Sequence, residues 1–348
     1  MTDLAKWLGI QWPLIQAPMA GVQDQRLALA VCQAGGLGSL PAAAVSLEAL
    51  SEQVAALRAV TAAPFNVNFF AHTAPAEDAV ADQAWLDSLA GEYQQWQLPR
   101  VAASAAPRQP FNPLAADWVS AMRPAVVSFH FGLPAPALLA QVKAAGAKVL
   151  ASATTVAEAQ WLVQHGADAV IAQGWEAGGH RGHFLDADVS RQLGTFALVP
   201  QIAAAVAVPV IAAGGITDAA TVAAARRLGA AGVQVGTAFL RTPEATTTAL
   251  HRSALASDRP TLVTHLYSGR PARAIATPFL EQVGPLAGCP APFPRASAAI
   301  LPLRKAAEAH GDDRYTSMWS GQNRSGCRAL PAAEICRALA AGWDVPAG

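Results

Sequence analysis

Ala169-Val170-Ile171-Ala172-Gln173-Gly174-Trp175-Glu176-Ala177-Gly178-Gly179-His180-Arg181-Gly182 is a short apolar run of β type that ends in a loop dense in glycine and ionisable side chains. A buried strand followed by such a loop belongs to a rim that carries chemistry rather than to packing. The glycines let backbone N–H groups approach a flat or anionic ligand without Cβ interference. His180 is the one side chain in the loop whose ordinary pKa lies near neutrality.

The same grammar recurs on both sides of this stretch. Apolar runs begin at Leu14, Gly36, Phe65, Val126, Val149, Ala169, Pro209 and Gly232. Helical patterns lie at 24–34, 46–60, 75–95, 135–145, 155–165, 197–206, 218–228 and 243–256, several opened by a cap residue such as Ser46, Thr155 or Thr217. Eight β-then-α units match an α/β fold of the (β/α)8 TIM-barrel type better than an open doubly wound sheet. In that fold residues 1–240 form the barrel. The proline-rich, irregular stretch 241–304 reads as a smaller lobe on the substrate side, and 305–348 as a segment packing back on the barrel.

Barrel chemistry sits where strands end, and the unusual clusters fall there. Gln16-Ala17-Pro18-Met19 follows the first strand, and Asn68 ends the third. His130 ends the fourth, and Gln173 through Gly182 follows the sixth. Gly214-Gly215 follows the seventh, and Gln234-Val235-Gly236-Thr237 closes the eighth. The two late glycine clusters fit a phosphate held by loop amides and a helix start, with tight turns as the plain alternative. Asn68 and Gln173 carry amides able to meet a flavin edge or to brace barrel backbone. Trp319-Ser320-Gly321-Gln322 is either a cover for the pocket or a surface turn.

Composition narrows the classes. The chain of 348 residues is 53% hydrophobic and 14% charged with no net charge, which supports a large core and gives no nucleic-acid stripe. No run approaches a membrane span, and no secretory pattern opens the chain, so a cytoplasmic protein is expected. Four cysteines without CxxC spacing read as reduced thiols. Glu176, His180, His183 and Asp186 would share a helix face, but Gly178-Gly179 argues against a helix there, and no metal is expected. No Walker A, G-x-G-x-x-G or G-x-S-x-G string occurs.

In this order the residues resemble the nitronate monooxygenase family, its class I members in particular. The resemblance runs through most of the chain and is most specific in Glu176-Ala177-Gly178-Gly179-His180-Arg181-Gly182. It extends to Phe65-Asn66-Val67-Asn68, Ser268-Gly269-Arg270-Pro271-Ala272-Arg273 and Trp319-Ser320-Gly321-Gln322. It implies an FMN-dependent barrel that oxidises alkyl nitronates such as propionate 3-nitronate with O2 to a carbonyl compound and nitrite, by one-electron transfer to the flavin. His180 would be the catalytic base for neutral nitroalkanes. Gln16, Ala17, Pro18, Met19, Asn68, Gln173, Gly178, Gly179, Gly214, Gly215, Gln234, Val235, Gly236 and Thr237 would meet FMN, and Met19, His130, Trp319 and Gln322 the substrate. A monomer or homodimer is expected. Two departures stand out: Trp175 where a small residue is common, expected to reshape the pocket, and Ala219-Ala220 in place of a Gly-Arg pair. The rival reading is an FMN-dependent NAD(P)H reductase for enoyl thioesters or quinones on the same barrel.

Overall fold

Of the strands in chain order, β1 (Leu14–Gln16), β2 (Gly38–Pro41), β3 (Phe65–Phe70), β4 (Val126–His130), β5 (Lys148–Ala153) and β6 (Ala169–Gln173) belong to one parallel sheet. The short β7 (Gly179–His180) does not, whereas β8 (Val210–Ala213) and β9 (Gly232–Val235) complete that sheet at eight strands. The structure, a computed structural model, describes residues 3–101 and 108–344. The large sheet runs from β1 through β9, β8, β6, β5, β4 and β3 to β2. Its two ends meet: Leu37 N donates to Leu14 O at 2.8 Å and Gln16 N to Leu37 O at 2.9 Å, which closes the (β/α)8 barrel. Closure leaves no strand edge to template aggregation.

Strand alternation sorts the side chains. Ile15, Val126, Leu150, Ala169, Ile171 and Ile211 fill the closed interior together with Leu4 and Leu8 of the helix Leu4–Leu8, which stops the N-terminal end. That plug sits tight against β9: a Cβ on Gly232 would lie 2.2 Å from Leu4 Cδ2. The intervening residues, such as Val67, Val127, Val149 and Val170, face the ring of helices in the larger outer core. Two residues further along β6, in phase with Ala169 and Ile171, stands Gln173. The interior therefore turns from aliphatic to polar toward the strand C-termini.

The helical stretches read from the sequence differ from the structure in four places, and the helix Ala296–Ala309 lies mostly in the stretch read as irregular. The stretch 75–95 is two short helices, Ala79–Ser88 and Ala90–Gln95, whose Trp85, Leu86, Leu89 and Tyr93 join a second apolar cluster with Phe279, Ile300 and Leu303 rather than the barrel. The helix that covers β3 and β4 is Pro113–Met122, begun by Asn112, whose side chain accepts from Ala115 N, and by Pro113 in the first turn. The helix after β8 is capped by Asp218, one residue beyond Thr217: Asp218 and Thr221 exchange a reciprocal capping box. The stretch 243–256 is helical only over Ala249–Leu255, where the Thr248 side chain caps it. The segment from Pro331 is helical over Ala332–Ala340, and its Ile335, Cys336 and Leu339 belong to the outer barrel core. All four cysteines are free thiols. Among the described residues no helix is long and apolar enough to cross a membrane.

Candidate active site

A cavity opens at the C-terminal mouth of the barrel. Its walls take in every residue expected to meet cofactor or substrate except Gln16 and Gln322. Gln16 is fully buried beneath it as a brace: Nε2 donates to Gln23 Oε1 at 2.7 Å, and Oε1 accepts from Ser39 N at 3.0 Å. Gln322 is exposed, and its neighbours Ser320, Gly321 and Asn323 line the cavity instead.

The loop after β6 is not free. Its β7 is the edge of a small antiparallel sheet with β10 (Thr261–Thr264) and β11 (Ala272–Ile275); His180 pairs with Ala272 and Gly179 with Arg273. Gln173 fixes the hairpin from below, with Nε2 donating to His180 O at 2.9 Å and Oε1 accepting from Gly182 N at 2.7 Å. Both ends of its amide are therefore committed to backbone. His130 Nε2 donates to the same His180 oxygen at 3.0 Å. Arg181 is wholly buried and donates to Gly174 O at 2.8 Å, Gln173 O at 3.0 Å and Gln192 Oε1 at 2.7 Å. Hydrogen bonds from a charged donor contribute about 1.5–3 kcal/mol each, so the hairpin is clamped. Trp175 does not reach the cavity: its ring lies between the Arg181 and Arg273 guanidiniums, each 5.3 Å from the centroid. The Trp175 ring is engaged by these two cations and is not among the residues that line the cavity.

His180 itself sits in a nest of rings, 5.2 Å from both Phe293 and Trp319 between centroids, and 6.0 Å from Phe131. Its Nε2 lies 2.9 Å from Ser268 Oγ. Arg270 O, 3.2 Å from the same hydroxyl, accepts the Ser268 proton in the arrangement in which Nε2 carries the imidazole proton and Nδ1 keeps its lone pair. Nδ1 has no hydrogen bond among the described residues and is not sealed from solvent. Burial pushes the pKa of His180 well below its ordinary value, reinforced by Arg108, His130, Arg270 and His72. The result is a neutral imidazole with a free basic nitrogen. Changing Ser268 to Ala removes the hydrogen bond that selects this tautomer; we expect a roughly fivefold loss of proton-abstracting activity, in keeping with a bond of about 1 kcal/mol. Ser268→Thr should restore it, and an equal loss in both variants, measured as kcat, would exclude the tautomer argument.

The opposite wall suits a phosphate. The amides of Gly215, Ile216, Gly236 and Thr237 find no acceptor among the described residues. Gly214 and Gly215 both have positive φ, +118° and +73°. A Cβ on Gly178 would collide with Ser320 C and Gly321 N at 2.5 Å, so glycine is what lets the 319–323 segment close over the hairpin. That segment is held in place as Gly321 N donates to Thr237 Oγ1 at 2.9 Å and Asn323 Nδ2 to Gly215 O at 2.9 Å. Gln234 Oε1 is buried on the wall without a partner. Among the described residues no Asp or Glu lines the cavity, and its one arginine is Arg108. Unpaired amides, an orphaned amide oxygen and absent carboxylates fit FMN.

Arg108, Phe70, Ser268 and Asn323 escape a reading of the sequence. Ser268 stands in the Ser268-Gly269-Arg270 string, whereas Arg108 carries no local signal at all.

The family model described as nitronate monooxygenase matches residues 1–342. A nitronate monooxygenase from Paraburkholderia phytofirmans is 42% identical over 337 residues, covering 95% of this chain and 92% of that protein. One from Pseudomonas aeruginosa is 40% identical, covering 97% and 98%. Among solved structures, a nitroalkane oxidase from Streptomyces ansochromogenes superposes with a TM-score of 0.89 at 37% identity over 98% of each chain. FabK from Thermotoga maritima reaches 0.74 at 28% identity, covering 99% and 96%.

Proposed function

The chain belongs to the nitronate monooxygenase family of oxidoreductases, and on that premise we propose that it binds FMN at the barrel mouth and oxidises small alkyl nitronates, propionate 3-nitronate among them, with O2 to a carbonyl compound and nitrite. The observation that carries the reading is the neutral His180 imidazole, with Nδ1 free, on the wall of a carboxylate-free cavity that also presents unpaired amides. Gly215, Gly236 and Thr237 would hold the phosphate, and Asn68 and Gln234 would meet the flavin. When bound, FMN supplies the electron-accepting chemistry. The remaining work falls to side chains. His180 Nδ1 takes the α-proton of a neutral nitroalkane, and Ser268 holds the ring in the tautomer that can do so. A nitronate arrives already deprotonated and needs only orientation and a counter-charge, which Arg108 provides. Phe293 and Trp319 pack against the imidazole and hold its orientation.

A reductase using NAD(P)H is the second reading; a large second cavity beside the first gives it room. Purified holoenzyme should take up O2 with propionate 3-nitronate and release nitrite, and NADH under anaerobic conditions should leave the flavin colour unchanged. Rapid bleaching by NADH with no O2 uptake on nitronate would replace the first reading by the second.

A further inference from the structure

The segment 319–326 crosses the phosphate side of the mouth as a strap. Ser320 N donates to Arg273 O at 3.3 Å and Gln322 N to Glu176 O at 2.9 Å, which ties its first half to the small sheet and the hairpin. Arg324 Nη1 donates to Ala254 O at 3.1 Å and Nη2 to Arg259 O at 2.6 Å, which ties its second half to the helix Ala249–Leu255 and the turn after it. The Thr217 and Ser325 hydroxyls meet at 3.2 Å. The fit there is close: a Cβ on Gly326 would lie 2.0 Å from Thr217 O.

Two further contacts of the strap bear on groups that line the cavity. Asn323 Nδ2 donates to Gly215 O at 2.9 Å. The carbonyl of Gly215 and the N–H of Ile216 belong to one peptide unit, which is trans, so the two point in opposite directions. Holding Gly215 O therefore aims the Ile216 N–H away from Asn323, and that N–H is one of the unpaired amides of the cavity wall. The Asn323 side chain is itself fixed, because its Oδ1 accepts from Ser325 N at 3.1 Å and from Ser325 Oγ at 2.8 Å. The second contact runs from Gly321 N to Thr237 Oγ1 at 2.9 Å. A hydroxyl has one proton and two lone pairs. With one lone pair taken by the strap, and no acceptor for its proton among the described residues, the Thr237 hydroxyl is left as a donor. Both contacts leave the wall with donors suited to an anion.

We propose that Asn323 is a positioning residue for the cofactor phosphate: through Gly215 O it orients the Ile216 amide, and together with Gly321 it makes the strap a selector for flavins that carry a phosphate. The inference rests on the FMN reading above and adds to it the device by which FMN is preferred to riboflavin, the same ring system without the phosphate.

The test titrates apoprotein with FMN and with riboflavin, followed by flavin fluorescence, in wild type, Asn323→Ala, Asn323→Asp and Gly326→Ala. Wild type should bind FMN more tightly than riboflavin by at least about a hundredfold, because several donors converge on the phosphate. Asn323→Ala should raise the dissociation constant for FMN about tenfold, the scale of one hydrogen bond, and leave that for riboflavin within about twofold. Asn323→Asp keeps the shape and the Ser325 contacts but has no proton for Gly215 O, so it should lose at least as much. Gly326→Ala removes no polar group and pushes the strap off Thr217; it should lower the preference for FMN in the same direction. A general defect of the fold would weaken both flavins alike. Equal weakening of the two, a wild type without preference for FMN, or Asn323→Ala and Asn323→Asp that bind FMN like wild type overturns the assignment and leaves the FMN reading standing. Wild-type apoprotein that binds neither flavin ends the FMN reading and this inference with it.

Discussion

Changing His180 to Asn will cut kcat/KM for neutral nitroalkanes by about 10²–10⁴, the range expected for loss of a positioned general base, while preformed nitronates lose less than about tenfold. The asymmetry follows from the position of the proton. A nitroalkane must surrender its α-proton, and the Nδ1 lone pair of His180 is the basic nitrogen left free once Nε2 is bound to Ser268. A nitronate has lost that proton in solution and asks of position 180 only a polar contact, which the Asn amide retains. Oxygen uptake with nitroethane and with its pre-ionised form measures both quantities on one enzyme preparation. Equal losses on the two substrates would remove His180 from proton transfer. The pH dependence supplies an independent check. Burial and the surrounding cations, Arg108 foremost, hold the His180 pKa well below its ordinary value of 6.5. A lowered pKa means that the basic form survives acidification, so the nitroalkane rate should show no histidine-type decline between pH 8 and pH 6. A decline centred near pH 6.5 would mean that the ring is solvated and the buried geometry is wrong.

The barrel is readable because its strands are buried on both faces, which concentrates Val, Ile, Leu and Ala into short runs that no surface segment imitates. The rim is readable for a related reason. Once the runs are placed, polar residues at their C-terminal ends, such as Asn68, Gln173 and Gln234, have no explanation in packing. What stays hidden depends on pairing across long sequence separations. His180 looks like part of a flexible glycine loop until Ala272, far along the chain, supplies the strand that holds it. Trp175 looks like an intruder in the pocket until Arg273 arrives on the same strand and, with Arg181, draws the ring away. Arg108 carries no periodicity or motif, and its importance lies in what surrounds it. The helix Pro113–Met122 is a different case: Asn112-Pro113 is a legible start signal, obscured because the stretch 75–95 already fills the place of a helix between β3 and β4.

Changing Gly215 to Asp will strip the flavin from the purified protein, raising the dissociation constant for FMN at least a hundredfold. Like charges brought together in a binding site cost several kcal/mol, and each 1.4 kcal/mol is a factor of about ten. The backbone at this position is left-handed, φ +73°, and a Cβ would meet only Glu176 Cβ at 3.6 Å and Cγ at 3.7 Å, an ordinary contact. Steric exclusion therefore does not confound the result, and Asp tolerates the left-handed region better than Ala does. Gly215→Ala is the matching control: it bears the conformational strain, on the order of 1 kcal/mol, without the charge. If the unpaired amides of Gly215, Ile216, Gly236 and Thr237 receive a phosphate, the aspartate carboxylate will compete for them, and the alanine variant will stay yellow. The gap between the two variants should narrow as salt is raised, because part of the penalty is screened. Visible absorbance after gel filtration, followed by titration of the apoprotein with FMN, reads all three expectations. Aspartate and alanine variants with the same flavin affinity would place the phosphate elsewhere on the rim, and with it the orientation of the isoalloxazine relative to His180.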